Sequence, residues 1–379
     1  MANVRPLGDQ MLRESTGHAL TIATVQRRPI GKTSAAVAVV GCGYWGSKHV
    51  RVLSGLPNVS QVFAVDANSQ IRDQIKTAFP NATVAPDLAA VLGNVDGVIV
   101  ATPPHNHVAV AVLALRAGKS VLIEKPITTS LRDAQRLIRL GKRNGAAVVA
   151  GHTYEFNPIV HDLRRRIVAG EFGEIRYLHS ERLNLGLYRT DVNVIWDLAP
   201  HDISIMNFLL NETPHSVRAW GVSCAGGDMI DVAHFQLEYP DNGIVGTGFN
   251  SWNDPRRVRQ LTIVGSKKMA VFDDIADEKL KIFDHSVKLP AVPVTRSAVA
   301  VDLPVATYNR GDVIIPKIEY EEPLHIEDRK FVEGLLNPSL ETTQTHSGVE
   351  VVRVLEAIDL SIATGKPALV KNRGAVPVH

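Results

Sequence analysis

Cysteine is nearly absent from this chain of 379 residues: Cys42 and Cys224 are the only two. Two cysteines make no disulfide framework, and such sparing use suits a reducing compartment, so a cytoplasmic setting is expected. Long apolar runs are missing as well. No stretch reaches the roughly 18 residues of a spanning helix, so no membrane segment is expected. Neither sign of charge dominates. With 41 Lys+Arg against 39 Asp+Glu the net charge is +2. No long basic run occurs, and composition gives no argument for a nucleic-acid partner. There is no H-E-x-x-H and no close cysteine set, so no metal is expected. Internal repeats and low-complexity tracts are lacking too. What remains is 45% hydrophobic and 21% charged. That is ordinary for a globular enzyme, and the length fits two domains with a sizeable core.

Residues 1–34 carry Arg5, Arg13, Arg27, Arg28 and Lys32 against Asp9 and Glu14. Their one apolar patch, Ala19 to Val25, is broken by threonines and lies too far in for a secretion signal. A poorly ordered extension is expected here, with an organelle-targeting peptide as the alternative.

The most informative motif follows. An apolar run, Ala35 to Val40, leads into Gly41-Cys42-Gly43-Tyr44-Trp45-Gly46 and then a helical stretch, Tyr44 to Leu56. A second apolar run, Gln61 to Val65, ends in Asp66, 20 residues after Gly46. A glycine triplet between strand and helix, with an acid at this distance, is the dinucleotide-binding fingerprint. Gly41 permits the tight turn, Gly43 lets the backbone approach a pyrophosphate, and Gly46 lets the helix pack closely. The helix start offers unpaired N–H groups to the phosphates. Asp66 would bond the ribose hydroxyls and repel a 2′-phosphate, which favours NAD over NADP.

From Ala35 to Asn157 strand and helix patterns alternate. Strands are expected at Ala35–Val40, Gln61–Val65, Ala82–Val84, Gly97–Ala101, Val121–Ile123 and Ala146–Ala150. Helices are expected at Asn68–Phe79, Asp87–Leu92, Asn106–Ala117 and Ser130–Asn144. Such alternation implies an α/β fold, a doubly wound parallel sheet of the Rossmann type. Beyond Asn157 a helix, Ile159–Ala169, precedes longer strand-like runs. These lie at Glu174–Asn184, Ser216–Ser223, Val232–Tyr239, Ile244–Asn250, Gln260–Val264 and Met269–Phe272. They predict an antiparallel or mixed sheet in a second domain, residues 158–379. Asp241-Asn242-Gly243 and Gly265-Ser266-Lys267-Lys268 read as hairpin turns. The proline-dotted stretch Asp284 to Tyr320 reads as loop. Helices Leu324–Leu336 and Ser347–Thr364 close the chain, and the last could return to either domain.

Two places carry candidate chemistry. The strand Val121–Ile123 runs into Glu124-Lys125-Pro126, at the strand end where ligands of such sheets bind. Lys125 there could donate to a substrate oxygen, or it could be a plain surface lysine. In Trp196-Asp197-Leu198-Ala199-Pro200-His201-Asp202, Asp197 and His201 stand four apart, on one face if the segment is helical. A histidine is the natural proton shuttle near neutral pH. Asp197 could orient it, bind a hydroxyl, or simply cap a helix.

Together these motifs resemble the glucose-fructose oxidoreductase / inositol dehydrogenase family, Gfo/Idh/MocA. The resemblance rests on the glycine motif, Asp66, Ala101-Thr102-Pro103-Pro104-His105-Asn106-His107, Glu124-Lys125-Pro126, and Asp197 with His201. It implies a cofactor site that includes Gly41, Gly43, Tyr44, Trp45, Gly46, Asp66, Thr102, Pro103, His107, Glu124 and Lys125. It implies a cis Lys125–Pro126 bond and a catalytic set of Lys125, Asp197 and His201. The activity implied is hydride transfer between nicotinamide and a secondary alcohol of a sugar, cyclitol or nucleotide sugar. The resemblance also implies a C-terminal α/β domain with a large open, mostly antiparallel sheet for substrate binding and oligomerisation, and a homodimer or homotetramer built on that sheet. The segments Arg189–Trp196 and Gly311–Pro316 resemble the nucleotide-sugar dehydrogenase and ketoreductase branch. Arg189 would then face a phosphate or carboxylate and Asn193 a hydroxyl, or they are a loop salt bridge and a turn residue. Tyr154 and Asn157 are candidate wall residues of the substrate site. Alternatives are NAD-dependent glycoside cleavage by transient oxidation and a non-catalytic NAD-binding regulator.

Overall fold

The computed structural model of the chain describes residues 32–186, 188–240, 243–288, 306–337 and 344–370. The expected extension therefore lies outside the described residues up to position 31, as do Asp241 and Asn242 of the first expected turn.

The first sheet is built from six strands: β1 (Ala35–Val40), β2 (Val59–Val65), β3 (Thr83–Ala85), β4 (Gly97–Val100), β5 (Ser120–Glu124) and β6 (Val148–Gly151). All neighbours pair in parallel, in the order β3-β2-β1-β4-β5-β6. This is the doubly wound dinucleotide-binding order, whose switch point falls between β1 and β4. The crossovers are α1 (Tyr44–Gly55), α2 (Ser69–Ala78), α3 (Pro104–Arg116) and α4 (Leu131–Arg143). Every residue of β1, β4, β5 and β6 is buried, as a sheet covered on both faces requires. The expected helix Asp87–Leu92 is not formed. Asp87 instead accepts from the Ala90 N–H (3.0 Å), a local side-chain bond that competes with helix, and only a short 3-10 turn follows at Leu92–Asn94.

Next come α5 (Pro158–Val168), β7 (Ile175–Leu185) and α6 (Val194–Leu210). The second sheet then adds β8 (Ser216–Val222), β9 (Val232–Glu238), β10 (Val245–Ser251), β11 (Asn253–Gly265), β12 (Met269–Asp273), β13 (Leu280–Lys288) and β14 (Thr307–Ile314). The helices α7 (Pro323–Leu336) and α8 (Gln344–Thr364) precede the last strand, β15 (Ala368–Leu369). The sheet order is β14-β13-β12-β11-β7-β10-β9-β8-β15, antiparallel except for the parallel pair β7–β10. Gly265 to Lys268 forms the expected tight turn, closed by the Gly265 N–H to Lys268 carbonyl bond. Within the stretch expected as loop, β13 and β14 form instead. Every residue of β14 is exposed, so no in-out alternation marks it in the sequence.

One helix ties the sheets together and another closes the first sheet. α8 packs on β6 and α4 of the first sheet and on β8 and α6 of the second. α7 covers the other face of the first sheet, where Phe331, Val332 and Leu335 join a core with Val37, Val39, Ile99 and Leu122. Among the described residues no helix is long and apolar enough to cross a membrane.

Candidate active site

The glycine motif sits between β1 and α1 at the switch point. Gly41 has φ +86°, and a Cβ there would meet the Ala101 carbonyl oxygen at 2.8 Å. A Cβ on Gly46 would lie 1.8 Å from the Gly41 oxygen, so helix and turn touch directly. A Cβ on Gly43 would meet nothing within 4 Å: the space above it is open. α1 begins with no side-chain cap and no acid in its first turn, so its first N–H groups are free for an anion. Asp66 ends β2 and returns to the loop, accepting from the Cys42 N–H (2.8 Å) and the Asn68 N–H (2.9 Å). Between them, the open ground over Gly43 and the uncapped helix start fit a dinucleotide pyrophosphate. Thr102, just past β4, has a buried hydroxyl with no partner. Pro103 caps α3. His107 lies beneath, its ring nitrogens against the carbonyls of Thr102 (2.7 Å) and Pro126 (3.0 Å). Burial pushes His107 below the usual histidine range. It braces the two loops and does not line the cavity.

That cavity has a volume of about 710 Å³ and opens beyond the carboxyl ends of β5 and β6. One wall carries Tyr44, Trp45 and Lys48 from α1, with the Lys48 ammonium over both rings at 4.1 and 4.6 Å. Glu124 and Lys125 enter from β5, and the Lys125–Pro126 bond is cis. Asp197 and His201 enter from α6, which is helical through both and through Pro200. The cap of that helix is Asn193, which accepts from the Trp196 N–H (3.1 Å), so Asp197 is not the cap.

The amine of Lys125 donates to the Asp197 carbonyl (2.8 Å) and lies 3.6 Å from its Oδ1. Burial lowers Lys125 from the usual lysine value, against the opposing carboxylates of Asp197 and Glu124. Asp197 is held from two further sides, by Arg189 Nη1 on Oδ1 (3.2 Å) and Trp252 Nε1 on Oδ2 (3.1 Å). His201 is edge-on to Tyr154 at 5.1 Å, and its Nδ1 is buried without a partner. Burial, then the charges of Lys125 and Arg182, push it well below the usual histidine range, so the ring is neutral near pH 7.

Of the expected substrate residues, Tyr154, Asn157 and Arg189 line the cavity. Asn157 also caps α5 through Oδ1, leaving its buried Nδ2 unpaired. Asn193 does not line it: capping and a 3.5 Å contact to Asp359 occupy the side chain. Several lining residues escaped the sequence reading, among them Arg182, Arg257, Arg259, Trp252 and Asp274. Arg182 is buried, bonded to Asp202 (3.1 Å) and to the Tyr154 hydroxyl (3.3 Å), which itself donates to Asp274 (2.6 Å). One signal existed. Arg182 shares the inward parity of Leu178 and Ser180 on β7, and a charge on a core parity marks a site.

Comparison with known proteins agrees with this architecture. Residues 35–152 match the family described as "Oxidoreductase family, NAD-binding Rossmann fold", and residues 160–271 match the Gfo/Idh/MocA C-terminal domain. The chain belongs to the Gfo/Idh/MocA family of oxidoreductases. Among its relatives is UDP-N-acetylglucosamine 3-dehydrogenase of Acidithiobacillus ferrooxidans, 32% identical over 70% of this chain and 82% of the relative. A solved structure of that enzyme superposes with a TM-score of 0.70 at 25% identity, covering 87% of this chain and 98% of the other. Inositol 2-dehydrogenase 2 of Saccharopolyspora erythraea is 30% identical over 55% of this chain and 64% of the relative. The protein is thus an oxidoreductase with an NAD-binding Rossmann domain, in a family whose members include dehydrogenases of UDP-N-acetylglucosamine and of inositol.

Proposed function

We propose that this protein is an NAD-dependent dehydrogenase or ketoreductase for a secondary alcohol of a nucleotide sugar or related anionic sugar. The observation that carries this reading is the convergence of Lys125, Asp197 and His201 on a cavity also lined by Tyr44, Trp45 and Lys48, from the helix that follows the dinucleotide turn. When bound, the nicotinamide accepts or returns a hydride at the alcohol carbon. The chain supplies the rest. His201, neutral and buried, takes the hydroxyl proton as the alcohol is oxidised and gives it back in the reverse direction. The Lys125 ammonium donates to the same oxygen and stabilises its growing negative charge. Asp197, fixed by Arg189 and Trp252, holds the amine in place and accepts from a neighbouring hydroxyl.

Asp66 at the end of β2 supports NAD over NADP, because a carboxylate repels a 2′-phosphate. The substrate class is supported by charge at the cavity mouth. Lys48, Arg257 and Arg259 line it; Arg259 pairs with Asp274 (3.8 Å) and Glu322 with Arg51 (2.6 Å), which leaves the charges of Lys48 and Arg257 in surplus. A phosphate or carboxylate on the sugar suits that surplus. A homo-oligomer is supported by the second sheet's open face. There Trp220, His234 and Phe249 of β8, β9 and β10 stack in a ladder at 4.6 and 4.0 Å, with Trp220 53% exposed.

The test is a screen for NAD+ reduction over nucleotide sugars, free sugars and inositols, run beside Lys125→Met. A turned-over substrate is expected, with Lys125→Met slowing kcat by about 10²–10⁴-fold while NADH still binds. A variant that keeps the wild-type rate would remove Lys125 from the mechanism. Release of a sugar with no net NADH would replace this reading with glycoside cleavage.

A further inference from the structure

Beneath the cavity lies a buried cluster that the proposed chemistry leaves unused. His49, on the core-facing side of α1, is completely enclosed. Its Nδ1 donates to Asp328 Oδ1 on α7 (2.7 Å), and its Nε2 donates to Glu124 Oε1 at the end of β5 (3.0 Å). Burial raises Asp328 from the usual carboxylate value, and His49 pulls it back down. With both acids ionised each can only accept, so both ring nitrogens carry protons and the ring is a cation. Burial alone would strip that charge. The Asp328 and Glu124 carboxylates outweigh it and hold His49 well above the usual histidine range. The second oxygen of Glu124 accepts from the Lys125 main-chain N–H (3.1 Å). Burial would raise Glu124, but His49 and then Lys125 hold it below the usual carboxylate range. The adjacent acid, Glu327, accepts from the Thr153 hydroxyl (2.9 Å) and is driven well above the carboxylate range by burial. It keeps its proton and does not compete for the cation.

We propose that His49 is a positioning residue for Lys125, acting through Glu124: bridging α1 and α7, the imidazolium fixes Glu124 as the standing counter-charge of the Lys125 amine. The proposal rests on Lys125 serving the reacting centre as set out above. Around that amine, Asp197 from α6 and Glu124 from its own strand favour the charged form. Burial, Arg182 from β7 and Arg189 ahead of α6 oppose it. His201 on α6 and His152 beyond β6 also face it and share in the electrostatics. Without His49, Glu124 is a buried acid with no cation bonded to it, and it takes up a proton. Lys125 then loses one of its two counter-charges. Its amine sheds its proton at lower pH, when it is needed as a donor to an alkoxide.

The sign separates this role from mere packing. Loss of packing admits water, relieves desolvation and moves Lys125 up towards the ordinary lysine value. Loss of the counter-charge moves it down. The experiment is trace acetylation of full-length wild-type protein and His49→Gln by acetic anhydride from neutral to alkaline pH, read at Lys125 by mass spectrometry. A fall of about one pH unit or more in the Lys125 midpoint, a tenfold change in its dissociation constant, is expected. An unchanged or raised midpoint overturns the proposal. Should His49→Gln not fold, the imidazole ¹⁵N shifts of the wild-type protein decide. A doubly protonated His49 ring near neutral pH upholds the proposal, and a neutral ring overturns it. Neither measurement needs a substrate, so a failed catalytic assignment of Lys125 leaves its own distinct trace in the turnover screen.

Discussion

Alanine at Gly43 and alanine at Gly46 should fail in opposite ways. At Gly46 the new methyl lies 1.8 Å from the Gly41 oxygen, where an ordinary C···O contact needs about 3.3 Å. Turn and helix must part by about 1.5 Å. Overpacking of this kind costs about 1–3 kcal/mol, a Tm loss of roughly 2–12 °C at 2–4 °C per kcal/mol. At Gly43 the backbone has φ −66° and ψ −149°, and the new methyl meets no protein atom within 4 Å. With no clash to relieve, Gly43→Ala should lower the Tm far less than Gly46→Ala does. The only thing in its way is the ligand. Fluorescence titration with NADH should show at least a tenfold loss of affinity, about 1.4 kcal/mol or more. Scanning fluorimetry of the same samples supplies the Tm. Full NADH affinity in Gly43→Ala, or a wild-type Tm in Gly46→Ala, would refute the division of labour drawn between these glycines.

Other outcomes follow from the same geometry. His201 is neutral well below the ordinary histidine value of 6.5. The acid limb of alcohol oxidation should therefore lie below that pH, and a limb centred at or above it would exclude His201 as the base. Glu155 is raised to about 7 by burial, from 4.5, with Ser347 donating to it across to α8. Its folded value exceeds its unfolded one, so stability is lost as pH rises from about 4.5 to 7 and stays lowered above. Glu155→Gln should raise the unfolding free energy at pH 8, by at most about 3 kcal/mol, with the gain vanishing near pH 4.5; denaturant melts showing an equal gain at both pH values would contradict this. Light scattering should find a dimer or tetramer that Trp220→Lys weakens, whereas a wild-type monomer at micromolar concentration would reject the exposed ladder as an interface.

The first sheet was legible nearly strand by strand because β1, β4, β5 and β6 are buried on both faces and read as apolar runs, with Gly118 and Gly145 marking helix ends at φ +69° and +63°. The second sheet was readable where one face is wet, as in β9, whose buried positions alternate strictly. It became unreadable where that contrast disappears, in wholly exposed β14. The site divides the same way. Lys125, Asp197 and His201 belong to local motifs, and local motifs survive in a linear string. Arg182, Asp274 and the His49–Asp328 pair become partners only through folding, across separations such as the 279 positions between His49 and Asp328. Asn193 illustrates the converse. A polar residue ahead of a helix looks the same in sequence whether it greets a ligand or a backbone N–H.

The placement of α7 has a consequence for how the chain must be made. Its Phe331, Val332 and Leu335 roof the face of the first sheet that Val37, Val39 and Ile99 present, and a Cβ on Gly97 would strike Leu335 at 2.6 Å. A ribosome that has finished β6 has therefore produced a nucleotide fold with one side only partly covered, by α1 and α2. The rest of that side stays open to solvent and to chaperones until some 180 further residues have emerged, counting from Gly151 to Leu336. A fragment ending near Asn157 inherits the same nakedness, and it should clump rather than bind dinucleotide.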